Sequence, residues 1–200
     1  LSSHFDLVAP VLAENRLHAK FFVQTMPLIE ELACNVHLCQ HLISKIPPDV
    51  ILSEISKLES AKPSLHKISS TYELQDSSVS KKIIKTFFNY SLNRQEARDI
   101  LIFLLNQEEA FDEKNFISRV YLNKNQLLKL KQLGFSVLPH FHSHTLLTNL
   151  SAGELRAEFD YSIEFFQNFF DERITEICIP FGGQNSWNNA CHQIALSKSL

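Results

Sequence analysis

Glycine is scarce in this chain. Its 200 residues include only four: Gly134, Gly153, Gly182 and Gly183. Neither GxGxxG nor GxxxxGK[ST] can be assembled from them, which removes the common dinucleotide and P-loop phosphate cradles. Neither sign of charge dominates: 19 Lys and Arg face 22 Asp and Glu, for a net charge of −3. That balance gives no electrostatic ground for nucleic acid or an anionic membrane as a partner. No uninterrupted apolar run approaches the length of a transmembrane segment. No charged n-region, apolar stretch and small-residue cleavage site stand in series, so no signal peptide is visible. The four cysteines (Cys34, Cys39, Cys178 and Cys191) are too few and too scattered for a disulfide scaffold. They fit a reducing compartment and tilt the expected location toward the cytoplasm. The chain opens on Leu1 rather than Met and reads as a cut end.

Apolar residues are plentiful, at 44% against 20% charged, and 16 of them are Phe. A chain of this size and composition is expected to fold as a single domain over residues 1–200 with a core rich in aromatic rings. FDLVAPVLAENRLHA has apolar residues at helical spacing, and KFFVQT after it reads as a buried strand. Residues 28–120 carry mostly i, i+3, i+4 periodicity, with Pro47-Pro48 as a break and a Ser/Lys-rich surface connection over residues 60–82. An α/β rhythm then returns. NKNQLLKLKQLG predicts a helix with Asn123 as N-cap and Gly134 at its C-terminal end. FSVLPHF predicts a strand, and SAGELRAEFDYSIEFFQNFF a helix opened by a Ser151/Glu154 capping box. ITEICIPF predicts a further strand and SWNNACHQIALSKS a further helix. This order predicts an α/β fold with parallel strands and outer helices, interrupted by a helical insertion over residues 28–120.

Chemistry concentrates in PHFHSH, residues 139–144, where His140, His142 and His144 follow a predicted strand. Ligands in α/β folds collect beyond the carboxyl ends of strands, and neutral imidazole is a good ligand for zinc and similar divalent ions. A continued strand would put the three rings on one face. A strand ending near His142 would let the loop fold His144 back toward His140. A surface loop that happens to be histidine-rich is the plain alternative. In a second group, Cys34, His37 and His41 share a helix face and Cys39 points elsewhere. Its spacing is not that of structural zinc, so an ordinary helix is expected there. IPFGGQN follows the next predicted strand. Gly182-Gly183 would let the backbone approach a ligand, and its N–H groups would suit an oxyanion. An ordinary turn is the alternative. No G-x-S-x-G elbow exists, so a serine hydrolase is unsupported.

GFSVLPHFHSHTLLTNLSAGELRAEF resembles the second motif of the polysaccharide deacetylases, the NodB-homology or carbohydrate esterase 4 family. EICIPFGGQN is similar to the third motif, a strand ending in P-[YF]-G, and FDLVAPVLAENRLHAKFFVQT to the family's helix and second strand. The resemblance covers about half the chain. It implies a deformed (β/α) barrel of the NodB type, here incomplete, with the long helical insertion within it. The implied activity is metal-dependent hydrolysis of N-acetyl groups on a polysaccharide or glycan sugar, in bacterial surface-polysaccharide metabolism. The implied site is a divalent metal, zinc first, held by His140 and His144, with the Phe181 backbone N–H as oxyanion donor.

The departures from the family shape the expectation. A T-F-D-D-G motif, source of the catalytic base and a third ligand, would precede Leu1. The Arg of the third motif is absent, since Cys178 and Ile179 lead into Pro180. The late histidine that acts as general acid has no counterpart, and His192 is not given its role. Base and acid are therefore expected outside the chain, which by itself should be inactive. The alternative is a non-catalytic relative, or a helical interaction protein with incidental metal binding and a working surface around Phe87, Phe88, Leu101, Ile102 and Leu105.

Overall fold

The computed structural model describes residues 2–58, 68–73, 76–107, 110–183 and 185–200. Helix dominates, at 62%. A π-helical turn, His4–Val8, runs into α1 (Ala9–Glu14), and β1 (Lys20–Val23) follows. Seven helices come next: α2 (Met26–Ile29), α3 (Asn35–Lys45), α4 (Pro48–Ser56), α5 (Ser70–Glu73), α6 (Val79–Thr86), α7 (Arg94–Leu105) and α8 (Glu113–Val120). A second π turn, Phe87–Ser91, separates α6 from α7. The chain then makes α9 (Lys124–Gln132), β2 (Ser136–Pro139), α10 (Ala152–Phe170) and α11 (Asn189–Ser197).

β1 and β2 pair in parallel, with Phe21 beside Val137 and Val23 beside Pro139. Their pairing runs on past the strand ends. His140 N–H donates to the Val23 carbonyl at 2.9 Å, Thr25 N–H to Phe141 at 3.2 Å and Met26 N–H to His142 at 3.0 Å. The histidine loop is thereby held against residues 24–26.

The expected α/β barrel, a deformed (β/α) barrel of the NodB type, is not present. Among the described residues there are two strands and no closed sheet. ITEICIPF, expected as a third parallel strand, is irregular and lies outside the sheet. A single backbone hydrogen bond, Cys178 N–H to Pro139 carbonyl at 3.1 Å, ties it to β2. One rung does not make a ladder, and neighbouring Glu176 instead pairs with half-exposed Lys20 at 2.5 Å. The connection expected over residues 60–82 is helical at 70–73 and 79–82, and residues 60–67 and 74–75 lie outside the described residues.

Local signals in the sequence explain the helix ends. Asn93, Asn123 and Ser151 each close a capping box with the residue three positions on. Each box satisfies two orphan donors of a first turn. Gly134, with φ +85°, ends the turn after α9 in the left-handed region that glycine enters without steric cost.

Two apolar cores form. One lies among the helices, where Leu38, Leu42, Ile55, Ile84, Phe87 and Leu101 are fully buried. The other lies under the strand pair, where Val137, Phe141, Leu127, Leu130, Phe159 and Phe166 meet. The His140–His144 loop is where these two cores approach each other, because α3 and the end of β2 share its lining.

Candidate functional site at the end of β2

β2 stops at Pro139, so strict alternation stops there too. Phe141 and His144 both have positive φ, +59° and +57°. Neither is glycine, and such conformations are held only where the surroundings impose them. Phe141 is fully buried against Phe159, with centroids 4.9 Å apart, which anchors the turn. The two bends send His142 one way and His140 and His144 the other.

His142 is buried and structural. Its Nδ1 meets Thr25 Oγ1 at 3.0 Å and its Nε2 meets Glu30 Oε1 at 2.8 Å. Glu158 of α10 secures the same loop from beneath. Its Oε2 accepts the N–H groups of His142 and Ser143, both at 3.0 Å, and its Oε1 accepts the Ser143 hydroxyl. Arg94 Nη1 lies 3.9 Å from that carboxylate.

His140 and His144 converge. Their rings stand edge to face with centroids 4.7 Å apart. The Nδ1 of His140 is 2.8 Å from the Cys178 carbonyl, which can only accept, so Nδ1 carries the proton and Nε2 keeps a lone pair. The Nδ1 of His144 is buried with no hydrogen-bond partner among the described residues, as is Oε1 of Gln24. Burial lowers the pKa of His140, and burial with the neighbouring His140 and His37 pushes His144 down to about 3. Both rings are neutral at pH 7, the form that ligates metals.

Phe181 stands beside this pair, its ring centroid 5.0 Å from that of His144 and 5.3 Å from that of Tyr90. Its φ is +66°, and the Gly182 N–H donates to the Pro180 carbonyl across it at 2.8 Å. This is a γ-turn of the rare, strained sense. The Phe181 N–H makes no hydrogen bond to another described residue. Gly182 itself has φ +60°. A Cβ on Gly183 would come within 2.9 Å of Thr71 Oγ1, so this glycine admits a close approach by the protein itself rather than by a ligand. Gln184 of the same stretch lies outside the described residues.

The second histidine group separates. His41 packs on Phe116 and Phe111, with centroids 4.8 and 5.7 Å away. Cys34 and Cys39 are fully buried, and burial pushes both thiols up to about 12. His37 turns toward β2. Its Nδ1 is 2.5 Å from the Tyr121 hydroxyl, and its ring centroid is 6.1 Å from that of His144. The ordinary-helix expectation missed this approach. No local signal carried it, because it depends on how α3 lies over the end of β2.

Two cavities open on either side of these rings, and His37, His140 and His144 line both. One, about 380 Å³, adds Gln40, Thr71, Lys85, Asn89 and Phe181. The other, about 540 Å³, lies against β1 and adds His4, Gln24 and Phe22. Among the described residues no Asp or Glu lines either. Nor does any group of three His, Cys, Asp or Glu side chains there converge as a ready metal site. No family model, curated protein or solved structure matches the chain. No helix among the described residues is long and apolar enough to cross a membrane.

Proposed function

We propose that the chain carries part of the site of a polysaccharide deacetylase-type hydrolase, which removes N-acetyl groups from a polysaccharide or glycan sugar in bacterial surface-polysaccharide metabolism. The observation that carries this reading is the paired His140 and His144 imidazoles beside the strained Phe181 turn. The donors suit a divalent ion of zinc's class: two neutral imidazoles, one fixed by a carbonyl at its far nitrogen and one with a buried, unpartnered nitrogen. Such an ion supplies Lewis acidity toward the acetyl carbonyl and makes a bound water acidic.

The chain's own residues then have defined tasks. His140 and His144 hold the ion, and the Cys178 carbonyl keeps His140 in the ligating tautomer. The free N–H of Phe181 donates to the oxygen that gains charge as the carbonyl is attacked. Gln40, Thr71 and Asn89 offer neutral hydrogen bonds to sugar hydroxyls, and Tyr72 and Phe181 give the same cavity apolar faces. Among the described residues no carboxylate lines either cavity as a base, so acetate release by these residues alone is expected to be slow.

That gap favours a second reading, a non-catalytic metal-binding relative. Acetate release from N-acetylated oligosaccharides, with and without zinc and with added formate as a surrogate base, separates the two. The hydrolase reading expects slow, zinc-dependent release that rises with formate and disappears in His140→Gln. Release that ignores zinc, or none at any formate concentration, sinks it.

A further inference from the structure

The third imidazole at this site comes from the helical part of the chain. We infer that His37 joins His140 and His144 in a three-imidazole site for one divalent cation of zinc's class. The inference shares His140 and His144 with the reading above but needs no substrate and no hydrolysis.

Geometry is the first support. Two imidazoles, each bound by one nitrogen at about 2.0–2.1 Å to a tetrahedral ion, hold their ring centroids roughly 5 Å apart. The observed separations are 4.7 Å for His140–His144 and 6.1 Å for His37–His144, which bracket that value. The described residues do not yet converge on one position. Closing the His37 side by roughly 1 Å brings it to the tetrahedral spacing. Side-chain rotation within one rotamer well covers such a distance.

Hydrogen bonding is the second support. His140 Nδ1 is engaged by the Cys178 carbonyl and His37 Nδ1 by the Tyr121 hydroxyl. The Tyr121 oxygen also accepts the Cys34 N–H at 2.9 Å, so it is fixed in place. With Nδ1–H of His37 donated to that oxygen, Nε2 keeps its lone pair. In that tautomer both His37 and His140 are held at Nδ1 with Nε2 unprotonated, the usual outer-shell arrangement of ligating histidines.

The third support is the orphan. His144 is in ring contact with both of the others, and its Nδ1 is buried without a partner among the described residues. A buried polar nitrogen without a hydrogen bond is costly. A cation shared with His37 and His140 removes that cost. The surroundings also argue for neutral donors only. Cys34 and Cys39 are sealed in the helical core, and no carboxylate of the described residues lines the two cavities.

The test uses zinc alone on the 200-residue chain. Affinity is measured by competition with a chromogenic chelator for the unmodified chain, His37→Gln, His140→Gln and His41→Gln. The expectation is one ion per chain, a loss of at least about 10-fold in both His37→Gln and His140→Gln, and no change in His41→Gln. A parallel measurement needs no variant: ring nitrogen resonances of His37, His140 and His144 should shift together up to one equivalent of zinc. If His37→Gln binds like the unmodified chain while His140→Gln is weakened, the inference is overturned and the two-histidine reading stands. If neither variant is weakened, both fall. A His37 ring that does not respond to zinc overturns the inference even if its variant fails to fold.

Discussion

The imidazole rings of His140 and His144 stand edge to face, with centroids 4.7 Å apart and planes at 89°. Four positions apart on a continued strand, they would have lain side by side on one face with His142 between them. The strand ends first, and the left-handed bends at Phe141 and His144 replace alternation with convergence. His142 is the residue this displaces. It becomes a tie between the loop, Thr25 and Glu30.

The three histidines of one short string should therefore respond differently to the same substitution. His142→Gln breaks one buried and one part-buried contact and is expected to cost about 1–3 kcal/mol of stability while leaving zinc binding largely intact. His140→Gln should do the reverse. Urea unfolding and zinc titration on both variants check this, and a zinc affinity lost equally in both would show that His142 is also a ligand.

Glu158 should matter more for stability than any of the histidines. Its carboxylate accepts two backbone N–H groups and a hydroxyl beneath the loop, and it is 4% exposed. Glu158→Ala leaves those donors buried without partners and is expected to cost about 3 kcal/mol. The urea midpoint should fall accordingly. A shift equivalent to less than about 1 kcal/mol would mean that water or Arg94 replaces the carboxylate.

Acid should destabilise the metal-free protein earlier than its carboxylates alone would. Burial brings His37 down to about 4, and burial with neighbouring imidazoles brings His144 down to about 3. Unfolded histidine titrates near 6.5. Between those values the unfolded chain binds more protons than the folded one, so stability rises with pH through this window. It is complete above about 6.5 and is lost as pH falls toward 4 and then 3. Stability measured at pH 7 and pH 5 in the presence of a chelator should differ, and His144→Gln should reduce the difference. An unchanged difference would place the acid sensitivity elsewhere.

The sequence spoke clearly where the signal is local. The capping residues Asn123 and Ser151, the Gly134 stop and the strand character of KFFV and SVLP follow from side-chain chemistry within a few positions. It misled where a segment's partner lies far away. ITEICIPF is rich in β-branched residues, yet only Cys178 finds a rung on β2, so strand propensity without a neighbouring ladder does not make a strand. The rhythm of helices and three expected strands at the two ends of the chain suggested a barrel, which the two strands of the described residues do not form. His37 was illegible for the same reason. Its spacing to Cys34 and His41 describes a helix face, whereas its partners Tyr121 and His144 come from distant segments.

The N-terminal segment leading into β1 carries apolar residues that it does not bury. Leu7 is 67% exposed, Val11 56% and Leu17 54%, and β1 beside it pairs only with β2 among the described residues. Contiguous exposed apolar surface next to an open strand edge promotes association. Val11→Lys should raise solubility and change stability by less than about 0.5 kcal/mol. Light scattering and thermal unfolding would report the two effects. A clear loss of stability would show that this face is covered in solution.

The γ-turn at Phe181 offers a test of strain that is independent of any ligand. Phe181→Gly and Phe181→Ala both remove the ring that packs on Tyr90 and His144. Both keep the backbone N–H assigned to the oxyanion. They differ in one respect, because at φ +66° glycine meets no Cβ penalty and alanine does. The glycine variant is therefore expected to be more stable than the alanine variant by about 1 kcal/mol, even though glycine is ordinarily the less stable of the two. Chemical denaturation of the pair measures the difference directly, and the common loss of the ring cancels. Equal stabilities, or alanine ahead, would mean that the turn relaxes to negative φ in solution. The Phe181 N–H would then no longer be held in the orientation proposed for it, and the oxyanion role would have to pass to another donor.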